Sequence, residues 1–198
     1  MNNKNLRSLP FFSLLLVTML FASCHHHYIP RPRGYFRIAF PEKSYKDLTL
    51  KVPYTFKIPV YSYTESDSLN LDQPYWITIQ IPENHAQIHI SYIRLNKNLA
   101  AHTEFSRALA YKHTEKASSI EEQIFVNRAK NVYGTLYTIK GDAASPMQFY
   151  LTDSVSNFLR GALYIKEVPN FDSLRPVINF LSQDVLQLVE STEWKNIK

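Results

Sequence analysis

The chain is poor in the residues from which many familiar sites are built. Its 198 residues include one cysteine, Cys24, and four glycines, at 34, 134, 141 and 161. A single cysteine excludes an internal disulfide, so any folded part is held by its core alone. Four scattered glycines leave no GxGxxG run and no P-loop, and neither a GxSxG elbow nor an HExxH motif occurs. Long apolar stretches are missing too. The longest, Leu14–Phe21, falls short of the roughly 20 apolar residues that a spanning helix needs. No basic run of five or more is present, and the arginines beyond the first few residues are scattered from Arg31 to Arg175. That dispersion argues against nucleic acid as a partner.

The same short apolar run is informative in another way. Lys4 and Arg7 precede it, no acidic residue occurs before Cys24, and the small residues Ala22 and Ser23 follow it. Basic start, apolar middle and small residues before a cut are the parts of a secretory signal. A cysteine directly after Phe21-Ala22-Ser23 is the pattern of a bacterial lipobox, in which the thiol receives a diacylglycerol and the chain is cut ahead of it. An ordinary signal peptide with a chance cysteine is the competing reading. One acyl chain holds a protein only marginally, whereas two or three hold it firmly. The expected organisation is therefore residues 1–23 as lipoprotein signal peptide, 24–33 as lipid-anchored tether and 34–198 as one domain. Covalent lipid on Cys24 is the only attached group expected, with no other cofactor. Loss of Lys4 and Arg7 lowers the formal charge of +5 by two. A remaining positive balance suits anionic headgroups near the anchor.

Within the tether, Pro30 and Pro32 favour an extended path. His25, His26 and His27 are adjacent, so their side chains diverge along an extended segment and no metal site is expected there. Arg31, Arg33 and Arg37 with Tyr35 and Phe36 form a candidate partner-binding edge, since arginine and tyrosine are favoured at binding hot spots; a solvated basic linker is the alternative.

From Gly34 onward the pattern is period-2 alternation, the signal of half-buried strands. Ile77, Ile79 and Ile81 oppose Trp76, Thr78 and Gln80; Ile88, Ile90 and Tyr92 oppose Gln87, His89 and Ser91. Pro82-Glu83-Asn84-His85 between them reads as a hairpin turn. Further strands are expected near 35–40, 54–60, 123–130, 132–140, 147–152 and 158–166. Two helices are predicted. One covers 98–113, with Asn98 as N-cap and Leu99, His102, Phe105, Leu109 and His113 on one stripe. The other is C-terminal, capped by Asp172 or Ser173, with Pro176 in its first turn. Its apolar face carries Leu174, Val177, Ile178, Leu181, Val185 and Leu188, with Asn179, Gln183, Asp184 and Gln187 on the polar side. Several strands, a helix, more strands and a long helix favour an α+β fold with a mainly antiparallel sheet. This order is similar to that of the sandwich shared by the Mog1 and PsbP proteins.

Candidate chemistry is sparse. His102 and His113 would stand roughly 16 Å apart on a helix, too far to share a metal. Asp153, Ser154, Asn157 and Arg160 form a candidate polar site, with a hairpin turn as the competing account. No catalytic set emerges, so no enzyme and no small-molecule substrate are expected.

The words PRPRGYFRI at 30–38, SY at 91–92, QFYLTDS at 148–154, FLRGALY at 158–164 and PNFDSLRP at 169–176, together with Cys24, resemble the gliding motility lipoprotein GldD family. The resemblance implies a membrane lipoprotein needed for gliding, working with machinery linked to type IX secretion, and it implies no catalytic residues. The expectation is a lipid-anchored, non-enzymatic scaffold subunit on the periplasmic face, with other envelope proteins as partners. An envelope enzyme or small-ligand binder using residues 153–160 is the alternative.

Overall fold

The computed structural model describes residues 38–66, 73 and 75–195. Cys24, the histidine tract and the Arg31–Arg37 edge lie outside them. The fold is α+β, centred on a seven-stranded antiparallel sheet of order β4-β5-β6-β10-β9-β8-β7. Its strands are β4 (Tyr63–Ser66), β5 (Ile77–Ile81), β6 (Ala86–Arg94), β7 (Ala117–Asn127), β8 (Val132–Gly141), β9 (Met147–Thr152) and β10 (Asn157–Ile165). Short strands β1 (Tyr45–Asp47) and β3 (Lys57–Pro59) pair with each other, as do β2 (Tyr54–Thr55) and β11 (Glu193–Trp194). Helix α1 (Leu99–Tyr111) follows β6, and α2 (Phe171–Ser191) follows β10.

Alternation decides which face each residue joins. Ile77, Ile79 and Ile81 pair in register with Ile90, Ile88 and Ala86. These residues, with Phe149, Leu151, Leu159 and Leu163, join Leu181, Val185 and Leu188 of α2 in the main core. The segment carrying β1–β3 adds Leu48, Val52, Tyr54, Phe56 and Ile58 to the same cluster. Burying a large apolar side chain contributes about 1.5–3 kcal/mol, so this face dominates stability. Helix α1 lies on the other face, where Ala110, Tyr137 and Ile139 form a smaller cluster with Tyr150.

Several boundaries differ from the sequence expectation. No strand occupies 38–40, and 54–60 divides at Phe56 because its two halves take different partners, 54–55 pairing with β11 and 57–59 with β1. The strand expected at 123–130 runs from Ala117 to Asn127. Its first half, ASSIEE, lacks alternation because an edge strand can be held by backbone pairing to β8 alone. Residues 128–131 turn instead, with Asn131 in the left-handed region at φ 50° and Asn127 Oδ1 accepting from the Lys130 amide. Asn98 stands at the N-cap of α1 but makes no cap hydrogen bond; its Oδ1 accepts from the Asn96 amide. Helix α2 is capped by Asn170, which accepts from the Ser173 amide, so the helix starts at Phe171 and Pro176 falls inside it, beyond the first turn. Asp184, expected on the polar face of α2, is fully buried.

Candidate functional site

Small residues set the position of α1. Ser106 and Ala110 are its buried side chains, and they let the helix settle on the aromatic part of the sheet around Tyr137 and Tyr150. Of the expected stripe, Leu99, His102, Leu109 and His113 are half-buried, whereas Phe105 is 59% exposed. A phenylalanine beneath the helix would hold it off the rings that Ala110 now touches. Seated over β8, β9 and β10, the helix leaves the β5–β6 part of this face uncovered.

A cavity of about 520 Å³ occupies that gap. Thr78 of β5, His89 and Ser91 of β6, and Phe158, Arg160 and Tyr164 of β10 form its floor; His102, Phe105, Ser106 and Leu109 form the helical wall. Trp76 also lines it and is fixed by its indole N–H donating to the Tyr92 carbonyl at 3.1 Å. The aromatic floor is ordered by stacking. Phe158 lies parallel to Tyr150 with centroids 5.4 Å apart, and the His102 ring tilts over Phe158 at 5.5 Å. Volume and apolar lining fall within the range of small-molecule sites.

Two polar groups in the cavity have unusual surroundings. Arg160 donates from Nη2 to Gln148 Oε1 at 2.7 Å and lies beside the Tyr164 hydroxyl. Among the described residues no carboxylate lies within ion-pair distance of it. Burial pushes the guanidinium below its ordinary range. Burial, and then the Arg160 charge, lower the His113 imidazole. Ser106 is 3% exposed, and its Oγ has no hydrogen-bond partner.

The sequence-predicted set of Asp153, Ser154, Asn157 and Arg160 does not converge. Asp153 Oδ1 accepts from the amides of Val155, Ser156 and Asn157 at 2.7–2.9 Å, while Oδ2 accepts from Asn157 Nδ2. Ser154 takes the left-handed conformation at φ 68°, closing the β9–β10 hairpin. Asp153 and Asn157 border a shallow polar hollow with Lys130 and Trp194, whereas Arg160 faces the α1 cavity. Sequence reasoning missed Trp76 and Ser106 as cavity residues. The available signal was an arginine on one face of an otherwise apolar and aromatic strand, Phe158, Arg160, Ala162, Tyr164.

A second buried polar cluster lies on the opposite face. Asp184 Oδ1 accepts from Lys43 Nζ at 2.7 Å and Tyr45 Oη at 3.1 Å, and Oδ2 accepts from Tyr61 Oη at 2.7 Å. Lys43 also donates to the Phe180 carbonyl and stands 3.2 Å above the Phe180 ring. Burial pushes the Lys43 ammonium down, against the opposing pull of Asp184. Burial and then the Asp184 charge push the Tyr45 phenol up to about 12. The carboxylate is fully satisfied by hydrogen bonds, which marks the cluster as a structural fastening.

Among the described residues no group of three His, Cys, Asp or Glu side chains is placed to hold a metal ion. Nor is any described helix long and apolar enough to cross a membrane. A search of curated proteins finds no match to this chain. Among solved structures, the solution structure of cyanobacterial PsbP (CyanoP) from Synechocystis is similar, with a TM-score of 0.47 and 7% identity, covering 80% of this chain and 97% of that one. The pattern of the gliding motility lipoprotein GldD matches residues 25–194, from the residue after Cys24 through the final short strand. The chain belongs to the gliding motility lipoprotein GldD family.

Proposed function

We propose that this lipoprotein is a non-enzymatic docking subunit of the gliding machinery, held on the periplasmic face of a membrane by acyl chains on Cys24 and acting together with type IX secretion components. One observation carries the reading: the lipobox cysteine stands immediately ahead of the family match at residues 25–194. Two features support docking over catalysis. Strand β7 is the sheet's outer strand and runs for 11 residues, with Ile124 78% and Val126 55% exposed. Among the described residues its outer edge is unpaired, and an edge of that length with apolar side chains accepts an extended partner segment by strand addition. In addition, Asp153 and Asn157 spend side-chain hydrogen bonds on a turn and Arg160 faces a different cavity, which weighs against the alternative of an enzyme or ligand site across 153–160.

Fractionation of cells carrying Cys24→Ala tests the anchor. Wild type is expected in the membrane pellet and the variant in the soluble envelope fraction. A variant that stays wholly membrane-bound overturns the reading. Crosslinking in intact cells followed by recovery of co-purifying envelope proteins tests the docking role.

A further inference from the structure

We propose that the cavity between α1 and the sheet is a binding site for an apolar monocarboxylate of the fatty-acid type, its headgroup on Arg160 and its chain along Trp76, Phe105, Leu109 and Phe158. The assignment goes beyond the docking role and does not depend on it.

Three observations converge. The first is charge. Among the described residues Arg160 is the cavity's one fixed cation, it has only neutral partners in Gln148 and Tyr164, and no described aspartate or glutamate lines the cavity. A guanidinium presents a planar fork that matches a carboxylate, and one fork neutralises one negative charge. The second is the unsatisfied hydroxyl. Ser106 Oγ lies in the helical wall, buried and without a partner, and leaving a buried polar group unpaired is costly. The atom is sealed from solvent in this structure, so a ligand oxygen relieves that cost only with a small shift of the helix. The third is the apolar share of the lining, an indole, two phenyl rings and a leucine among others; Phe105 is largely exposed, so a chain laid against it removes apolar surface from water. A peptide ending in a carboxylate would set the same charge on Arg160, and the competition described below distinguishes it.

The probe is carboxyl-labelled decanoate, added to the full chain in phosphatidylcholine nanodiscs and followed by carbon NMR against empty nanodiscs. A distinct protein-bound carboxyl resonance is expected. Decanol, with the same chain and no charge, should compete about tenfold less well, and Arg160→Gln should weaken decanoate by about tenfold or more, because hydrogen bonds between charged groups are the strong ones. Ser106→Ala guards against misreading a folding defect. It should raise Tm, because it removes an unsatisfied group, while weakening decanoate severalfold, and a purely structural serine does not give opposite signs. Absence of a bound resonance up to millimolar decanoate overturns the proposal, as does decanol competing equally or Arg160→Gln binding unchanged. Displacement of decanoate by a free-carboxyl apolar tripeptide at far lower concentration overturns it in favour of a peptide site. Loss of membrane anchoring in Cys24→Ala leaves all these outcomes unaffected, so the two readings fail separately.

Discussion

Gly161 and Phe149 face each other across β10 and β9, and the Phe149 ring fills the space where a side chain at 161 would stand. A Cβ on Gly161 would lie 2.1 Å from the ring's Cζ. Phe149 is itself 1% exposed, in the centre of the main core, with little room to yield. Gly161→Ala is therefore expected to destabilise the fold by about 1–3 kcal/mol through overpacking. Urea unfolding monitored by circular dichroism checks this, and pairing the change with Phe149→Leu should recover part of the loss. Equal losses in the single and double variants would show that the contact is not the cause.

The Lys43–Asp184 pair makes a second prediction. Lys43→Met leaves a fully buried carboxylate with only its two tyrosine donors, and breaking one side of a buried pair costs about 3 kcal/mol. Replacing both, as Lys43→Met with Asp184→Leu, should restore much of the stability, because no charge is then left buried. A double-mutant cycle on denaturation midpoints measures the coupling.

Acid should weaken the fold in two separable steps. The folded His113 pKa is depressed below 6.5, by burial and then by Arg160, so the folded state binds fewer protons here than the unfolded chain. This contribution is complete above pH 6.5 and is lost as pH falls through the lowered folded value. Asp153 is pushed up by partial burial, but hydrogen bonds from Asn157, Val155 and Ser156 outweigh this and place it below 3.8. Its contribution is complete above pH 3.8 and is lost as pH falls through its own lowered value. Thermal melts of His113→Gln should flatten the upper step only, and those of Asp153→Asn the lower step only.

Ile124→Glu combined with Val126→Lys tests the β7 edge. Both side chains are mostly exposed, so stability should change by no more than about 0.5 kcal/mol. Recovery of crosslinked envelope partners should fall sharply. Unchanged recovery would remove this edge from the docking surface.

Legibility from sequence followed the range of the interactions involved. Strands β5, β6, β8, β9 and β10 could be placed because isoleucine or aromatic alternation is a local signal, and α2 because its apolar face repeats within the helix. The burial of Asp184 could not be read, since its partners Lys43, Tyr45 and Tyr61 lie 123–141 residues away. The cavity was equally hidden. Its residues come from β5, β6, α1 and β10, and it exists only because α1 turned Ser106 and Ala110 toward the sheet. Asp153 shows the converse: a turn made of neighbours could be read directly from Thr152-Asp153-Ser154.

The fastening around Phe180 also fixes where tension enters the domain. Phe40 stacks on the Phe180 ring at 4.3 Å, and Lys43 stands over the same ring while gripping Asp184. A pull on the chain ahead of Ile38 meets this clamp before it meets any strand of the seven-stranded sheet. Those contacts tie the entering chain to α2, on the face of the sheet opposite the cavity.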